Sequence, residues 1–97
     1  MNTYVIFRRS GWSSRSELEK AAGRSAQVAQ HEMPEQVRWI RSYVTEEVGG
    51  RVGTVCVYQA TDVGAIAEHA RRAGLPCDLV VPVADTVVIN EDPAVPA

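Results

Sequence analysis

Runs of β-branched and aromatic residues mark the strands of this chain, and apolar residues recur at helical spacing along two other stretches. The strongest strand signals are VRWIRSYV (37–44) and TVCVYQA (54–60), both rich in β-branched and aromatic residues. Gly49, Gly50 and Gly53 lie between them, so the pair reads as an antiparallel hairpin over 37–46 and 53–60. Successive strand side chains point to opposite faces. Ile40 and Val44 are therefore expected on one face with Val55 and Val57, and Trp39, Arg41 and Tyr43 on the other with Thr54, Cys56 and Tyr58. The aliphatic face suits packing under helices. The face bearing rings, a guanidinium and a thiol is where function is expected.

The remaining elements follow in order. Residues 3–8 form a short strand with Val5 and Phe7 on one face and Tyr4, Ile6 and Arg8 on the other. Residues 11–14 make a turn, with Trp12 as a loop anchor. Ser14–Glu17 and Ser16–Glu19 both fit the capping box, and a helix is predicted from there to about His31. Its stripe of Leu18, Ala21, Ala22, Ser25, Val28 and Ala29 is small in volume, and Pro34 ends it. Asp62 reads as the N-cap of a second helix with Val63, Ile66, Ala67 and Ala70 as its stripe, and Gly74 as its C′ residue. Residues 79–83 form a last strand, which Pro82 assigns to an edge or a bend; 86–89 extend it or make a separate strand. A domain over 1–89 and a frayed tail over 90–97 complete the reading.

The order β-α-β-β-α-β is the ferredoxin-like split βαβ plan, an α+β fold. Two helices cover one face of a four-stranded sheet. With Tyr4, Trp39, Tyr43 and Tyr58 assigned to the other face, a second copy of the chain is expected to cap it as a homodimer, enclosing a small lined cavity.

Composition narrows the function classes. Ninety-seven residues suit one small domain, and the net charge of -2 with scattered arginines argues against a nucleic-acid partner. No run approaches the roughly 18 apolar residues of a membrane span. The opening YVIF (4–7) is too short for a signal peptide and is followed by Arg8 and Arg9, so a cytoplasmic protein is expected. Cys56 and Cys77 form no C-x-x-C pair, which points to neither a zinc site nor a disulfide framework.

VRWIRSYV (37–44), VCVY (55–58) and EHARRAGLPCD (68–78), in that order, resemble a family of small bacterial proteins, mostly described as a domain of unknown function, whose described member binds nickel. The resemblance runs from about Tyr4 to Ile89. It implies a ferredoxin-like fold assembled as a dimeric α/β barrel, and it implies metal binding with nickel as the ion. The chain departs from the usual pattern in having Cys77 where alanine is common, and in a longer 46–53 connection.

The candidate ligand-cavity residues are Tyr4, Trp39, Arg41, Tyr43, Cys56 and Tyr58; the candidate metal ligands are His69, His31 and Glu32. Imidazole suits nickel as a borderline donor. His69 flanks the second helix's stripe, where a histidine is equally suited to a structural hydrogen bond. His31 points away from the first helix's stripe, toward solvent. Cys56 reads as a small buried hydrophobe or, beside Arg41 and Tyr58, as an activated thiolate. The leading expectation is a homodimeric nickel or other divalent-metal-binding protein with no catalytic residues. The alternatives are a cofactor-free enzyme of monooxygenase or isomerase type, using Arg41 to hold an anion and a tyrosine or His69 to move protons, and a ligand-sensing or structural dimer module for a small molecule.

Overall fold

Two side-chain caps set the helices where the sequence places them. The structure, a computed structural model, describes residues 1–93. Ser14 accepts a hydrogen bond from the Glu17 amide and starts α1, Arg15–Gln27, which continues as a single π-helical turn, Val28–Glu32. The Glu17 carboxylate returns to Ser13 rather than to the cap itself, accepting from its amide and hydroxyl at 3.1 and 2.6 Å. Asp62 caps α2, Val63–Ala73, by accepting from the Ala65 amide at 2.8 Å. Gly74 closes that helix in the left-handed region at φ 68°, which glycine adopts without steric cost.

The strands are β1 (Asn2–Trp12), β2 (Val37–Glu46), β3 (Val52–Ala60) and β4 (Leu79–Pro82). They form one antiparallel sheet in the order β2-β3-β1-β4. With two helices added this is an α+β fold with the expected β-α-β-β-α-β element order. β4 is an edge strand, as Pro82 requires. β1 runs past the expected turn as far as Trp12, through an irregularity after Arg8. Residues 86–89 form no strand, and the tail expected over 90–97 lies partly outside the described residues.

The faces are the reverse of the sequence expectation. Tyr4, Ile6, Arg8, Thr54, Cys56 and Tyr58 are buried beneath the helices. Val5, Phe7, Val55 and Val57, their alternates, lie half-buried on the face no helix covers. Volume explains the inversion. Over half of the residues that the helices bury are small (Ala21, Ser25, Ala29, Ala70, Ala73), so large sheet side chains are needed to fill the layer to the density of a protein interior.

A β-bulge accounts for the second departure. Trp39 pairs with Tyr58, but Arg41 pairs with Val57, leaving Ile40 as the extra residue. Strict alternation places Trp39, Arg41 and Tyr43 together. The bulge separates them, sending Trp39 to the helix side while Arg41 and Tyr43 pair on the open side, opposite Val57 and Val55.

Gly53 is demanded by the irregular part of β1. A Cβ there would lie 2.6 Å from the Arg8 carbonyl oxygen and 3.0 Å from the Ser10 amide nitrogen, both backbone atoms. Gly53→Ala is expected to destabilise the chain by about 1–3 kcal/mol, the cost of forced overpacking. Gly23→Ala, on α1 with nothing within 4 Å of the added carbon, is expected to stabilise by about 0.5–1 kcal/mol. Urea unfolding measures both, and equal effects would contradict this account of Gly53.

Candidate binding site between helix and sheet

The most polar part of the core lies where β1, β3, α1 and α2 meet. Ser25 reaches it from α1, His69 from α2, Tyr58, Cys56 and Thr54 from β3, and Arg8 from β1, and all are buried. The Ser25 hydroxyl lies 3.0 Å from the Tyr58 hydroxyl and 3.3 Å from His69 Nε2. Nε2 also lies 3.1 Å from the Ser25 carbonyl oxygen. A carbonyl only accepts, so Nε2 must carry the proton and Nδ1 of the neutral ring is a bare acceptor. Nδ1 is buried with no hydrogen-bond partner.

Aromatic contacts surround this network. Trp39 stacks on Tyr58 with centroids 5.9 Å apart and planes 3° from parallel. Its indole N–H donates to the Ser42 hydroxyl at 2.8 Å, across the bulge that put it there. The Arg8 guanidinium carbon lies 5.8 Å from the centroid of the Tyr58 ring. Arg8 Nε donates to the Pro76 carbonyl at 2.7 Å, and the Cys56 thiol donates to the Thr54 hydroxyl at 3.3 Å. Beside these groups, between α1 and the sheet, is a cavity of about 150 Å³ lined by Arg8, Trp39, Cys56 and Tyr58, with Trp12 and Leu18 among its other walls.

Desolvation sets the protonation states. Burial pushes the Tyr58 phenol up to about 12, opposed by its Ser25 hydrogen bond and by Arg8, so it remains neutral. Burial also holds the His69 imidazole below its ordinary 6.5, against the Ser25 carbonyl, which favours the charged form. Neither group is set up as a charged acid or base at neutral pH.

Of the residues singled out from sequence, Trp39, Cys56 and Tyr58 line this cavity. Tyr4 is buried in the adjoining core. Arg41 and Tyr43 belong to the opposite face, where both bond the Asp92 carboxylate, Tyr43 at 2.9 Å. His69 is fully buried, His31 is exposed, and Glu32 is exposed and paired with Arg72 at 3.4 Å. Arg71 and Arg72 also hold Glu68, keeping its carboxyl down at about 2. Among the described residues no three His, Cys, Asp or Glu side chains converge, so the residues of one chain do not by themselves fit a nickel ion with three protein ligands. Sequence reasoning missed Arg8 and Ser25. Arg8 shares a strand face with Tyr4 and Ile6, and that alternation was its signal.

The buried imidazole gives a pH signature. Its native value is depressed, so the unfolded chain binds the extra proton first and stability falls as pH drops below about 6.5. The carboxyls of Glu17, Glu47 and Glu68 are also held low, but their stabilisation is lost only below about 4.5. Unfolding followed from pH 7.5 to 5 should therefore show a loss that His69→Gln removes; an unchanged slope in that variant would refute the assignment.

No curated protein matches the chain. The crystal structure of SCO4226 from Streptomyces coelicolor A3(2) superposes with a TM-score of 0.70 at 16% identity, covering 88% of this chain and 99% of that one. At this identity the likeness shows a shared fold. The family model of the nickel responsive protein SCO4226-like proteins matches residues 4–83, most of the chain. The chain belongs to the SCO4226-like nickel-responsive family.

Proposed function

We propose that this chain works as a homodimeric protein that binds nickel or a similar divalent ion. The observation that carries the dimer is the side of the sheet that no helix covers. Val5, Phe7, Val55, Val57, Leu79 and Val81 lie side by side there by strand register. Residues 83–92 arch past this face to Asp92 and leave a hollow beneath. Val87, Val88 and Ile89 on the arch are 82%, 75% and 82% exposed. An aliphatic face and an apolar arch of this kind favour association. A second copy presents the same surface and closes it symmetrically.

Membership of a nickel-responsive family supports the metal, and the donors available to it are few. His69 has an unpartnered Nδ1 but no exposure, so reaching it requires the core to open. His31 and Glu32 stand in solvent at the π-helical turn, and Glu32 is engaged only by an exposed ion pair of the kind worth about 0–1 kcal/mol. His31 with Glu32 is thus the accessible donor pair. Because one chain brings no third donor to it among the described residues, a second copy or water supplies the remainder.

Two measurements test this on the chain without a histidine tag. Light scattering is expected to give the mass of a dimer, and Val57→Lys, which places a charge at the centre of the open face, the mass of a monomer. Nickel calorimetry is expected to show saturable binding that His31→Ala abolishes and that His69→Ala reduces less. A monomeric parent chain would overturn the dimer; absence of saturable heat at micromolar nickel would overturn the metal.

A further inference from the structure

Arg8 is a charge that the fold does not use up. It is 1% exposed, yet no carboxylate among the described residues pairs with it. Nε is spent on the Pro76 carbonyl, and Nη2 is buried with no hydrogen-bond partner. A desolvated guanidinium is unfavourable unless an anion meets it. Its planar fork matches a carboxylate in geometry as well as in charge.

Arg8 also lines the cavity between α1 and the sheet. The cavity volume of about 150 Å³ is that of an apolar hole able to accept one benzene molecule. Its walls include the Trp12, Trp39, Leu18 and Leu75 side chains, and exposed Arg15 and Glu19 of α1 lie at its edge. A mostly apolar pocket with a few polar groups is the usual form of a small-molecule site.

We propose that this cavity is a site for a small monocarboxylate carrying one ring or a short branched chain, with its carboxylate on Arg8 and its apolar body against Trp12, Leu18 and Trp39. Nη2 is itself buried, so the guanidinium must turn toward the cavity to meet the anion, which then supplies its missing partner; the body fills space that the small side chains of the helix leave open. None of the nickel candidates His31, Glu32 and His69 lines this cavity, and the site stands or falls separately from the metal reading.

Benzoate is the probe and benzyl alcohol its neutral counterpart, both titrated into the full chain in EDTA with calorimetry and tryptophan fluorescence as readouts. Saturable benzoate binding is expected, with benzyl alcohol weaker by about tenfold or more, the scale of a hydrogen bond to a charged group. Ala22 lines the cavity from α1 and is half-buried, so Ala22→Leu narrows it while Arg8, Ser25 and Tyr58 are all kept. That variant should unfold at the parent temperature and bind benzoate about tenfold more weakly. Equal affinity for the two probes, parent-like benzoate binding by Ala22→Leu, or no saturable signal at millimolar benzoate would each overturn the proposal. Nickel added in place of EDTA should leave benzoate affinity unchanged.

Discussion

The hydrogen bond between Tyr58 and Ser25 is the contact on which the layers of this protein depend. It ties the central strand β3 to α1, and the same serine, through its hydroxyl and its carbonyl, fixes the imidazole of α2. Trp39 from β2 stacks on the same tyrosine ring, and Arg8 from β1 stands over it. Three strands and both helices thus converge on one phenol. A buried network of this kind is specific because each member has few alternative partners in a low-dielectric interior.

That convergence follows from the shortage of volume on the helices. An alanine stripe lets a helix approach a sheet closely, but the gap still has to be filled. Here the sheet fills it with tyrosine, tryptophan and arginine, which carry polar atoms into the core with them. Ser25, a polar residue within the α1 stripe, answers the phenol; Pro76 and the Tyr58 ring answer part of the guanidinium. The valines of β1 and β3 are left for the other face.

Much of the framework was legible from local chemistry. The caps at Ser14 and Asp62, the stop at Gly74, the glycines of the hairpin connection and the edge character of β4 each depend on a residue's own geometry or hydrogen bonding, and each is where the sequence puts it. The orientation of the sheet was not legible in the same way. It depends on which face the helices need, a tertiary question of volume, and the rule that greasy faces go under helices answers it wrongly when the helices are this thin. Nor was the bulge at Ile40 marked by a glycine or a proline. VRWIRSYV does break its alternation, at the Trp39-Ile40 and Arg41-Ser42 doublets, but which residue is extra is visible only from the register against β3. That one inserted residue separates Trp39 from Arg41 and Tyr43. It divides a single expected site into a stacked inner pocket and an outer clamp on Asp92.

The inner pocket is also where the chain departs most from what stability alone favours. Replacing a buried charge with a well-packed apolar side chain is often neutral or stabilising by about 1–4 kcal/mol. Arg8 nevertheless sits in the sheet interior with one nitrogen unsatisfied, next to unfilled space and beside a histidine whose Nδ1 is equally orphaned. Much of the rest of the chain satisfies its local rules: the helices are capped, and the Glu32 and Glu68 carboxylates are paired with arginines. A sequence that follows its local rules in most places and breaks them here concentrates unused chemistry at this point, and such places are where function is expected to lie. The outer face departs in a different sense, by leaving apolar surface in water rather than polar groups in the core. The two inconsistencies call for different partners. An unpaired buried cation is relieved by something small and anionic, whereas a broad aliphatic sheet is relieved only by another surface of similar extent.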